Sequence, residues 1–493
     1  MTNKINKVLI ANRGEIAGRI LRTLNRMGIA AVMVYHALDA DSPAVRAARR
    51  KVEIDGPTPV AAYLDMDRII AACRQTDADA VHPGFGFLAE NAAFARGLAR
   101  EGIKFIGPSP ENIELMGNKV RARSFCAANG FPLAPSVAET DAGVHFAEHA
   151  AKIGFPLLIK AAAGGGGKGM QIVRDPDNLA AAVQLAKTTA RRAFGDDAVY
   201  AEPYVEKPRH IEVQILADAF GHVVHLGARE CSIQRRFQKI IEESPAPGLP
   251  SDLRERICAT AVEIARSAKY RNAGTVEFLL APEGDFYFLE MNTRIQVEHP
   301  VTEMVTGIDL VEIQIRVAQG ESLPFDQDQI ASKGHAIELR LYAEDPANDF
   351  LPTNGQLLAY ALPTGDGVRV DDGFCEGMQV TSAFDPMLAK LVIHGQTRDE
   401  AIERARRAID DTLILGLTTN VHYLARIIAH PAFAAGRIHT GFISQYGSDL
   451  NAPTLTKEQS HLLLAAAALC SREFTNPEFE AAEPYAGIGN WRN

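Results

Sequence analysis

Two glutamates near the middle of the chain, Glu277 and Glu290, have the types and spacing that most clearly suggest chemistry. They lie in two apolar runs typical of strands, separated by a polar turn at residues 282–285. If Glu283 and Gly284 are the two central turn residues, the strand numbering pairs Glu277 directly with Glu290. Facing carboxylates about 5 Å apart repel each other, and their apolar neighbours predict a largely buried sheet. We therefore expect a divalent cation between them.

The residues that follow the hairpin extend this polar face. Because side chains alternate along a strand, Asn292 lies on the face of Glu290 and offers a third oxygen ligand. The same period adds Arg294, Gln296 and Glu298, although the chain can already be in a loop at residue 294. Oxygen ligands with few carboxylates suit Mg²⁺ or Mn²⁺ that carries nucleotide phosphates better than an all-protein Ca²⁺ site. The alternative is an exposed acidic hairpin edge, which the register, the alternation and the apolar neighbours disfavour.

A glycine run, Gly164–Gly167, lies between two apolar runs that read as strands. It is not a Walker A loop, because a second strand follows Lys168 where that motif needs Ser or Thr and a helix. The run predicts a glycine hairpin whose backbone closes over phosphates, with Lys160 and Lys168 adding positive charge. A mobile linker is the alternative, and the flanking strands favour a lid.

Three folded regions must position these residues. Residues 5–35 read as strand, helix and strand, and the repeat of this pattern predicts a doubly wound parallel sheet over residues 1–117. Its first turn lacks GxGxxG, which argues against a nicotinamide role. We predict a second region over 118–330 that includes a lid at about 133–206, and an α+β region over 331–447. Residues 448–493 then form a linker and tail.

Arg340 is the charge of interest in the third region, since it interrupts the apolar run 336–342. Periodicity alone favours a structural ion pair, with Glu338 or Asp345 as partner.

Composition limits the function classes. The 493 residues are 47% hydrophobic and 23% charged, as in a folded globular chain of several domains. A formal net charge of −10 gives no overall attraction to nucleic acid or anionic lipid, so an anionic ligand needs a local site. No apolar run reaches the roughly 18 residues of a membrane span, and we expect no membrane partner. Six scattered cysteines without metal-ligand spacing favour a reduced, cytoplasmic setting.

Four motifs closely resemble those of the biotin carboxylases, members of the ATP-grasp superfamily: Ile10–Ile16, His82–Leu88, Gly164–Met170 and Glu290–Glu303. The resemblance covers about residues 5–446. It implies an ATP-grasp fold with an N-terminal Rossmann-like domain, a mobile glycine-rich lid and a C-terminal biotin carboxylase domain. It also implies that MgATP and bicarbonate form carboxyphosphate, and that a ureido nitrogen of biotin then receives the carboxyl group.

The resemblance also implies residue roles. The residues assigned to the nucleotide and its phosphates are Lys119, Lys160, Gly165, Gly166, Gly167, Met170, Glu202, Val205, His210, Gln234 and Lys239. Those assigned to Mg²⁺ or Mn²⁺, two ions in all, are Glu277, Glu290 and Asn292. Those assigned to bicarbonate are Arg294, Gln296 and the Val297 backbone, with Glu298 as general base. Arg340 is assigned to the biotin enolate. The residues expected to be catalytic are Glu298, Arg294, Arg340 and Lys239.

The chain departs from the family pattern at three positions. Phe237 replaces a histidine near the nucleotide, and Lys168 replaces a frequent arginine of the lid. Arg26 stands where an acidic residue is usual in the first helix, which the family's bacterial homodimers use together with the C-terminal domain.

Partners follow from what the resemblance implies and from a missing motif. No Met-Lys-Met biotin-attachment sequence occurs, so biotin should arrive on a carrier protein or domain, with a carboxyltransferase as the next partner. One alternative function is another ATP-grasp carboxylate–amine ligase, which Glu298 and Arg340 disfavour. The other is a non-catalytic nucleotide-sensing subunit, which only Phe237 supports.

Overall fold

The computed structural model describes residues 4–161, 170–194, 197–452 and 456–470. The predicted lid glycines Gly165, Gly166 and Gly167, together with Lys168, lie outside these residues. The chain forms two units, Met1–Leu450 and Asn451–Asn493. None of the described helices is both long and apolar enough to cross a lipid bilayer.

The N-terminal part of the first unit is a doubly wound parallel sheet, as predicted. Its elements are β1 (Lys7–Ile10), α1 (Gly14–Met27), β2 (Ala30–Tyr35), α2 (Pro43–Ala47), β3 (Arg50–Glu53), α3 (Pro59–Leu64), α4 (Met66–Thr76), β4 (Ala80–His82), α5 (Ala92–Arg100), β5 (Lys104–Phe105) and α6 (Pro110–Met116). The strand order is β3-β2-β1-β4-β5, and each adjacent pair is parallel. Gly28 ends α1 with a φ of 67°, a conformation that glycine adopts without steric cost.

A four-stranded antiparallel sheet follows. Its elements are α7 (Lys119–Ala128), β6 (Val137–Ala138), α8 (Glu139–Ala142), α9 (Phe146–Ile153), β7 (Leu157–Ala161), β8 (Gln171–Val173), α10 (Leu179–Phe194) and β9 (Val199–Pro203). The order is β6-β9-β7-β8. Leu157 and Ile159 of β7 pack with Val183 and Ala186 of α10, so the sheet has its own small core. Strands β7 and β8 flank the glycine run, as expected.

The centre of the unit is a large antiparallel sheet. Its first elements are β10 (Arg209–Ala217), β11 (Val223–Arg235), β12 (Gln238–Ser244), α11 (Ser251–Ser267), β13 (Asn272–Leu280), β14 (Phe286–Asn292), α12 (His299–Thr306) and α13 (Leu310–Ala318). Leu310 and Ile315 of α13 share a core with Ile10 and Ile20 of the N-terminal sheet and helix, which joins the two regions.

The remaining elements extend this sheet and cover it. They are β15 (His335–Tyr342), β16 (Glu344–Asp345), β17 (Leu351–Pro352), β18 (Gly355–Gln356), β19 (Ala359–Ala361), β20 (Val368–Asp372), β21 (Gln379–Val380), β22 (Met387–Gly395), α14 (Arg398–Asp410), β23 (Leu413–Leu415), α15 (Val421–Ala429), α16 (Pro431–Ala434), α17 (Phe442–Gln445) and α18 (Gly447–Leu450). The second unit contains α19 (Lys457–Cys470).

The eight strands of the large sheet run in the order β14-β13-β10-β11-β12-β15-β22-β20. Because β12 pairs with β15, the sheet is continuous across the predicted boundary at residues 330 and 331. Leu339 and Leu391 pack there against Ile402 of α14 and Leu424 of α15. This continuity places Arg340 in the same sheet as the predicted acidic hairpin.

The hairpin of β13 and β14 has the predicted pairing of Glu277 with Glu290, but its turn is longer than predicted. The Ala281 amide donates to the Asp285 carbonyl at 2.8 Å, which leaves three residues in the loop instead of two. Near the loop, Phe278 therefore pairs with Phe288, and Leu289 is an extra residue that shifts the register by one. The longer loop and the extra residue Leu289 shift the register by one residue in opposite directions. Glu277 and Glu290 therefore still face each other.

Candidate active site

A row of four charged residues crosses the large sheet. Glu290 pairs directly with Glu277, Glu277 with Glu212, and Glu212 with Arg229, on strands β14, β13, β10 and β11. Directly paired residues of antiparallel strands present their side chains on the same side of a sheet. Glu212 and Arg229 are fully buried, Glu277 is 3% exposed, and only Glu290 at the sheet edge reaches solvent. The row is thus a buried acidic site with a solvent-facing end.

Lys239, on β12, joins three carboxylates of this site. Its Nζ lies 2.6 Å from Glu212, 2.9 Å from Glu277 and 2.6 Å from Glu298. Burial alone would lower the pKa of Lys239, but the three carboxylates raise it well above its usual value. The ammonium is therefore a fixed positive charge at the centre of the site.

Both carboxylate oxygens of Glu277 contact neighbouring side chains. Its Oε2 lies 2.7 Å from His210 Nε2, and its Oε1 accepts from Asn292 at 2.8 Å and from Gln296 at 2.7 Å. Burial would raise the pKa of Glu277, but Lys239 and His210 hold it well below its usual range. In turn, Glu277 raises the pKa of His210 against the effect of burial. The carboxylate is ionised, as a metal ligand must be.

Residues 293–298 do not continue the strand. β14 ends at Asn292, and a loop leads to α12, which begins at His299. Arg294 nevertheless reaches back to the Asn292 side chain at 3.1 Å, and it is held from the other side by Glu90 at 3.0 Å. Strand alternation predicted that Arg294 lies beside Asn292, and the two side chains do meet. A loop, not a continued strand, brings them together.

Glu298, the predicted base, lies between two cations. Lys239 contacts its Oε1 at 2.6 Å, and Arg340 donates to its Oε2 at 2.9 Å. Burial would raise the pKa of Glu298, but Lys239, Arg340 and Arg229 lower it well below its usual value. Glu298 is only 2% exposed, so the ionised form depends on these cations.

The expected partners of Arg340 were wrong. Arg340 pairs with Glu298 and, at 2.5 Å, with Glu242; neither Glu338 nor Asp345 is its ion-pair partner. The reason is the register of β12 and β15, in which Glu242 is opposite Glu338 and therefore diagonal to Arg340. The alternation rule that identifies neighbours within a strand contains no information about the adjacent strand.

Of the residues assigned to the nucleotide, Lys119 contacts the open end of the row, and others lie on the small sheet or beside His210. Lys119 lies 2.6 Å from Glu290, which raises the pKa of Lys119 against burial, and Lys160 forms an ion pair with Glu202 between β7 and β9. Gln234 lies 2.8 Å from Nδ1 of His210. Met170 and Val205 are half-buried, immediately before β8 and shortly after β9.

The described side chains include two groups of metal-binding type. One is His210, Glu212 and Glu277; the other is Glu212, Cys231 and Glu298. Glu290 is in neither group, although its oxygen ligand at the end of the row suits a metal held partly by phosphate. The ligand set Glu277, Glu290 and Asn292 stays a prediction.

Three comparisons with known proteins identify the relationship. Residues 4–113 match the family described as biotin carboxylase, N-terminal domain; residues 118–325 match carbamoyl-phosphate synthase L chain, ATP binding domain; and residues 338–445 match biotin carboxylase C-terminal domain. A biotin carboxylase of Halalkalibacterium halodurans is 48% identical over 444 residues, which are 89% of this chain and 97% of that protein.

The chain belongs to the biotin carboxylase family. A mitochondrial methylcrotonoyl-CoA carboxylase subunit alpha of Dictyostelium discoideum is 44% identical over 99% of this chain and 70% of that protein. A solved structure of similar fold is the biotin carboxylase domain dimer of Hydrogenobacter thermophilus 2-oxoglutarate carboxylase, in complex with MgADP, ADP and bicarbonate. It has a TM-score of 0.87 and 40% identity, and the match covers 91% of this chain and 99% of that one. The predicted ATP-grasp fold is confirmed.

Sequence reasoning missed several buried charges of this biotin carboxylase site. Glu212 was detectable, because His210, Glu212 and Gln214 alternate with Ile211 and Val213 along β10. No comparable alternation of polar and apolar residues marks Arg229, Glu242 or Lys390. Lys390 is fully buried on β22, and its Nζ donates to the Val297 carbonyl at 2.8 Å. This bond fixes the backbone that the family resemblance assigns to bicarbonate.

Proposed function

We propose that this chain catalyses the ATP- and bicarbonate-dependent carboxylation of biotin held on a carrier, as the first half-reaction of a biotin-dependent carboxylase. The main support for this proposal is the position of Glu298. Glu298 is a buried, ionised carboxylate held between Lys239 and Arg340, at the side of a buried acidic site. Family membership and the ATP-grasp fold supply the reaction class.

The metal ions, Mg²⁺ or Mn²⁺ and two in number, would be held by Glu277, Glu290 and Asn292. When bound, they neutralise charge on the nucleotide phosphates. The ionised Glu277 and the sheet-edge position of Glu290 fit this role, since one ligand is fixed and the other faces the nucleotide side. His210 contacts Glu277, and Gln234 contacts the other ring nitrogen of His210. Lys119 and Lys160 would carry positive charge to the phosphates.

Bicarbonate would lie against Arg294, Gln296 and the Val297 backbone. Glu298 takes the proton of its O–H group, and the oxygen freed of that proton attacks the γ-phosphorus, with ADP as leaving group. Lys239 contacts the base and lies beside the metal-binding carboxylates, so it can stabilise negative charge that develops between them. The glycine lid, with Gly165, Gly166 and Gly167, would close over the phosphates and exclude water from carboxyphosphate.

Biotin would bind beside Arg340. Its guanidinium contacts Glu298, which places a cation next to the base where an enolate oxygen of the ureido group can be stabilised. The ureido N–H proton then passes to the phosphate released from carboxyphosphate, and the ureido nitrogen forms a bond to the carboxyl carbon as its bond to the phosphate oxygen breaks. The partners are a biotin carboxyl carrier protein or domain and a carboxyltransferase subunit.

A homodimer through α1 and the C-terminal region belongs to the same proposal, since a related structure is a dimer. The basic Arg26 on this face is neutralised within the chain, because it lies 2.7 Å from Asp309 and 2.8 Å from Glu312. We also propose domain boundaries after residues 117, 330 and 447, as expected from the sequence.

The test is release of ADP from MgATP with free biotin as acceptor, with and without bicarbonate. We expect turnover that requires bicarbonate and rises with biotin, together with carboxybiotin as product. ATP hydrolysis that ignores both compounds contradicts the proposal. Nucleotide binding without any turnover would instead favour a nucleotide-sensing subunit.

A further inference from the structure

Arg229 is a fully buried arginine that bonds to five side chains. Its Nε donates to Glu212 at 2.5 Å. One terminal nitrogen, Nη1, donates to Gln214 and to Thr302, both at 2.9 Å. The other, Nη2, donates to Gln296 at 2.8 Å and to Thr275 at 3.2 Å. All five N–H groups of the guanidinium are therefore engaged within the protein, and none is left for a substrate.

The bond to Gln296 fixes which way the amide of that residue points. Because Arg229 can only donate, the group of Gln296 that faces it must be the carbonyl oxygen Oε1. The amide nitrogen Nε2 then faces Glu277, to which it donates at 2.7 Å. An amide nitrogen carries two hydrogens, and the second is available to an anion in the site. The ionised Glu277, which can only accept, favours the same orientation, so Arg229 and Glu277 hold the two ends of the amide.

Arg229 also fixes the segment that carries Gln296. Its bond to Thr302 anchors the first turns of α12, which follow directly after Glu298. Its bond to Glu212 holds one oxygen of that carboxylate, while Lys239 contacts the other at 2.6 Å. The guanidinium thus connects β10, β11 and β13 to the loop between Asn292 and His299. Its planar fork reaches acceptors on several sides at once.

We propose that Arg229 is a positioning residue for bicarbonate, which acts by holding the Gln296 amide with its N–H groups toward the anion. This inference rests on the proposed function, because it concerns the bicarbonate site of that reaction. Arg229 touches no reacting atom. It holds the carbonyl end of an amide whose nitrogen end bonds to Glu277, and so fixes the direction of the remaining N–H group.

The test is Arg229→Lys, assayed by steady-state kinetics with bicarbonate and MgATP varied in turn. Lysine keeps the charge beside Glu212 but offers one nitrogen in place of a fork, so the carbonyl oxygen of Gln296 loses its donor. We expect the KM for bicarbonate to rise about tenfold or more, the scale of one lost hydrogen bond to a charged group, with the KM for MgATP changed less than about threefold. Equal changes in both KM values, or none, would overturn the proposal.

A matched control is Arg398→Lys. Arg398 also forks onto a buried carboxylate, Glu243, and donates to the Phe433 and Ala434 carbonyls, and none of these described partners is assigned to the site. We expect this variant to lose thermal stability with both KM values near those of the unaltered protein. If Arg398→Lys changed the bicarbonate KM as strongly as Arg229→Lys, the effect would be one of general stability and the proposal would fail.

A double-mutant cycle separates positioning from a structural role. In a Gln296→Ala background, Arg229→Lys should add less than about twofold to the bicarbonate KM, because the side chain through which it acts is gone. Additive effects would show that Arg229 acts by another route. Thr302→Val is a milder variant for the case in which Arg229→Lys does not fold, since it removes one neutral acceptor and leaves every charge in place. It should raise the bicarbonate KM about two- to fivefold, and an unchanged value would count against the proposal.

Turnover of the unaltered protein distinguishes a failure of the proposed function from a failure of the role of Arg229. Absence of bicarbonate-dependent turnover in that protein would refute the proposed function itself. Normal turnover that is insensitive to Arg229→Lys would refute the role of Arg229 alone.

Discussion

Glu242 and Glu298 approach the same nitrogen atom: Nη2 of Arg340 lies 2.5 Å from the first carboxylate and 2.9 Å from the second. Both carboxylates are buried, yet their electrostatic surroundings differ. The pKa of Glu298 is lowered by Lys239 as well as by Arg340, whereas burial outweighs Arg340 at Glu242 and raises its pKa to about 7. One arginine thus contacts both a carboxylate that stays ionised and one that gains a proton near neutral pH.

The first prediction concerns the ionised member of this pair. Glu298→Gln should lower bicarbonate-dependent turnover by about 10²-fold or more, because the proton of bicarbonate loses its acceptor. The affinity for MgATP should stay within about twofold, and the fold should persist, since Lys239 keeps Glu212 and Glu277 and Arg340 keeps Glu242. ADP release and nucleotide titration measure the two quantities. Unchanged turnover would remove Glu298 as the base.

The second prediction is a pH dependence of stability that comes from Glu242. In the folded protein the pKa of Glu242 is about 7, above the usual 4.5, because the side chain is buried. The folded state therefore binds this proton more tightly than the unfolded state. The resulting stabilisation is fully present below about pH 4.5 and is lost as the pH rises through about 7.

Glu242→Gln removes this titration. We expect the free energy of unfolding of the unaltered protein, relative to that of the variant, to fall between about pH 5 and pH 8 by up to about 3 kcal/mol. The loss of the Arg340 partner adds an offset that does not vary over this range. Urea unfolding at several pH values measures the difference, and a difference that is constant with pH refutes the prediction.

The third prediction concerns metal binding at the sheet edge. Glu290→Gln should raise the Mg²⁺ concentration for half-maximal turnover about tenfold or more, because a charged oxygen ligand becomes neutral. Its side chain is 25% exposed and pairs only with Lys119 among the described residues, so stability should fall by less than about 1 kcal/mol. Glu283→Gln, in the exposed turn of the same hairpin, is the matched control and should leave the Mg²⁺ requirement unchanged. An equal requirement in both variants would argue against Glu290 as a ligand.

The hairpin illustrates how far sequence patterns determine this site. Alternation and turn residues placed Glu277 opposite Glu290 correctly, although the turn has three residues and Leu289 is a bulge. Turn length depends on backbone hydrogen bonds that glycine and proline positions do not specify fully. The prediction missed both the third loop residue and the bulge, and these two errors compensated. On another hairpin, an error in turn length alone would give the wrong pairing.

Long-range pairing accounts for what the sequence could not supply. Arg340 and Glu242 meet only because β12 pairs with β15, and Arg229 meets Gln296 only because a loop folds back over β11. Similarly, α14 ends at Asp410, and the following residues Leu413–Leu415 pair with β19. Local patterns identify strands, helices and single charges; they do not select which elements become neighbours.

The fourth prediction uses the departure from the family pattern at Phe237. This residue occupies the tip of the β11–β12 hairpin with a φ of 67°, and its side chain is 61% exposed. Histidine tolerates this left-handed conformation better than most residues, so Phe237→His should not strain the turn. The imidazole restores a hydrogen-bonding group near the nucleotide, which should tighten nucleotide binding about two- to tenfold, the scale of one neutral hydrogen bond.

The matched control for this change is Phe220→His. Phe220 is 65% exposed in the turn between β10 and β11, at the opposite end of β10 from His210. Titration of both variants with ADP, in the presence of Mg²⁺, should tighten binding for Phe237→His alone. If the two variants bind ADP with the affinity of the unaltered protein, the aromatic ring at position 237 has no effect on the nucleotide. The exposed ring would then be a surface feature of the hairpin, and the family difference at this position would carry no consequence for ATP.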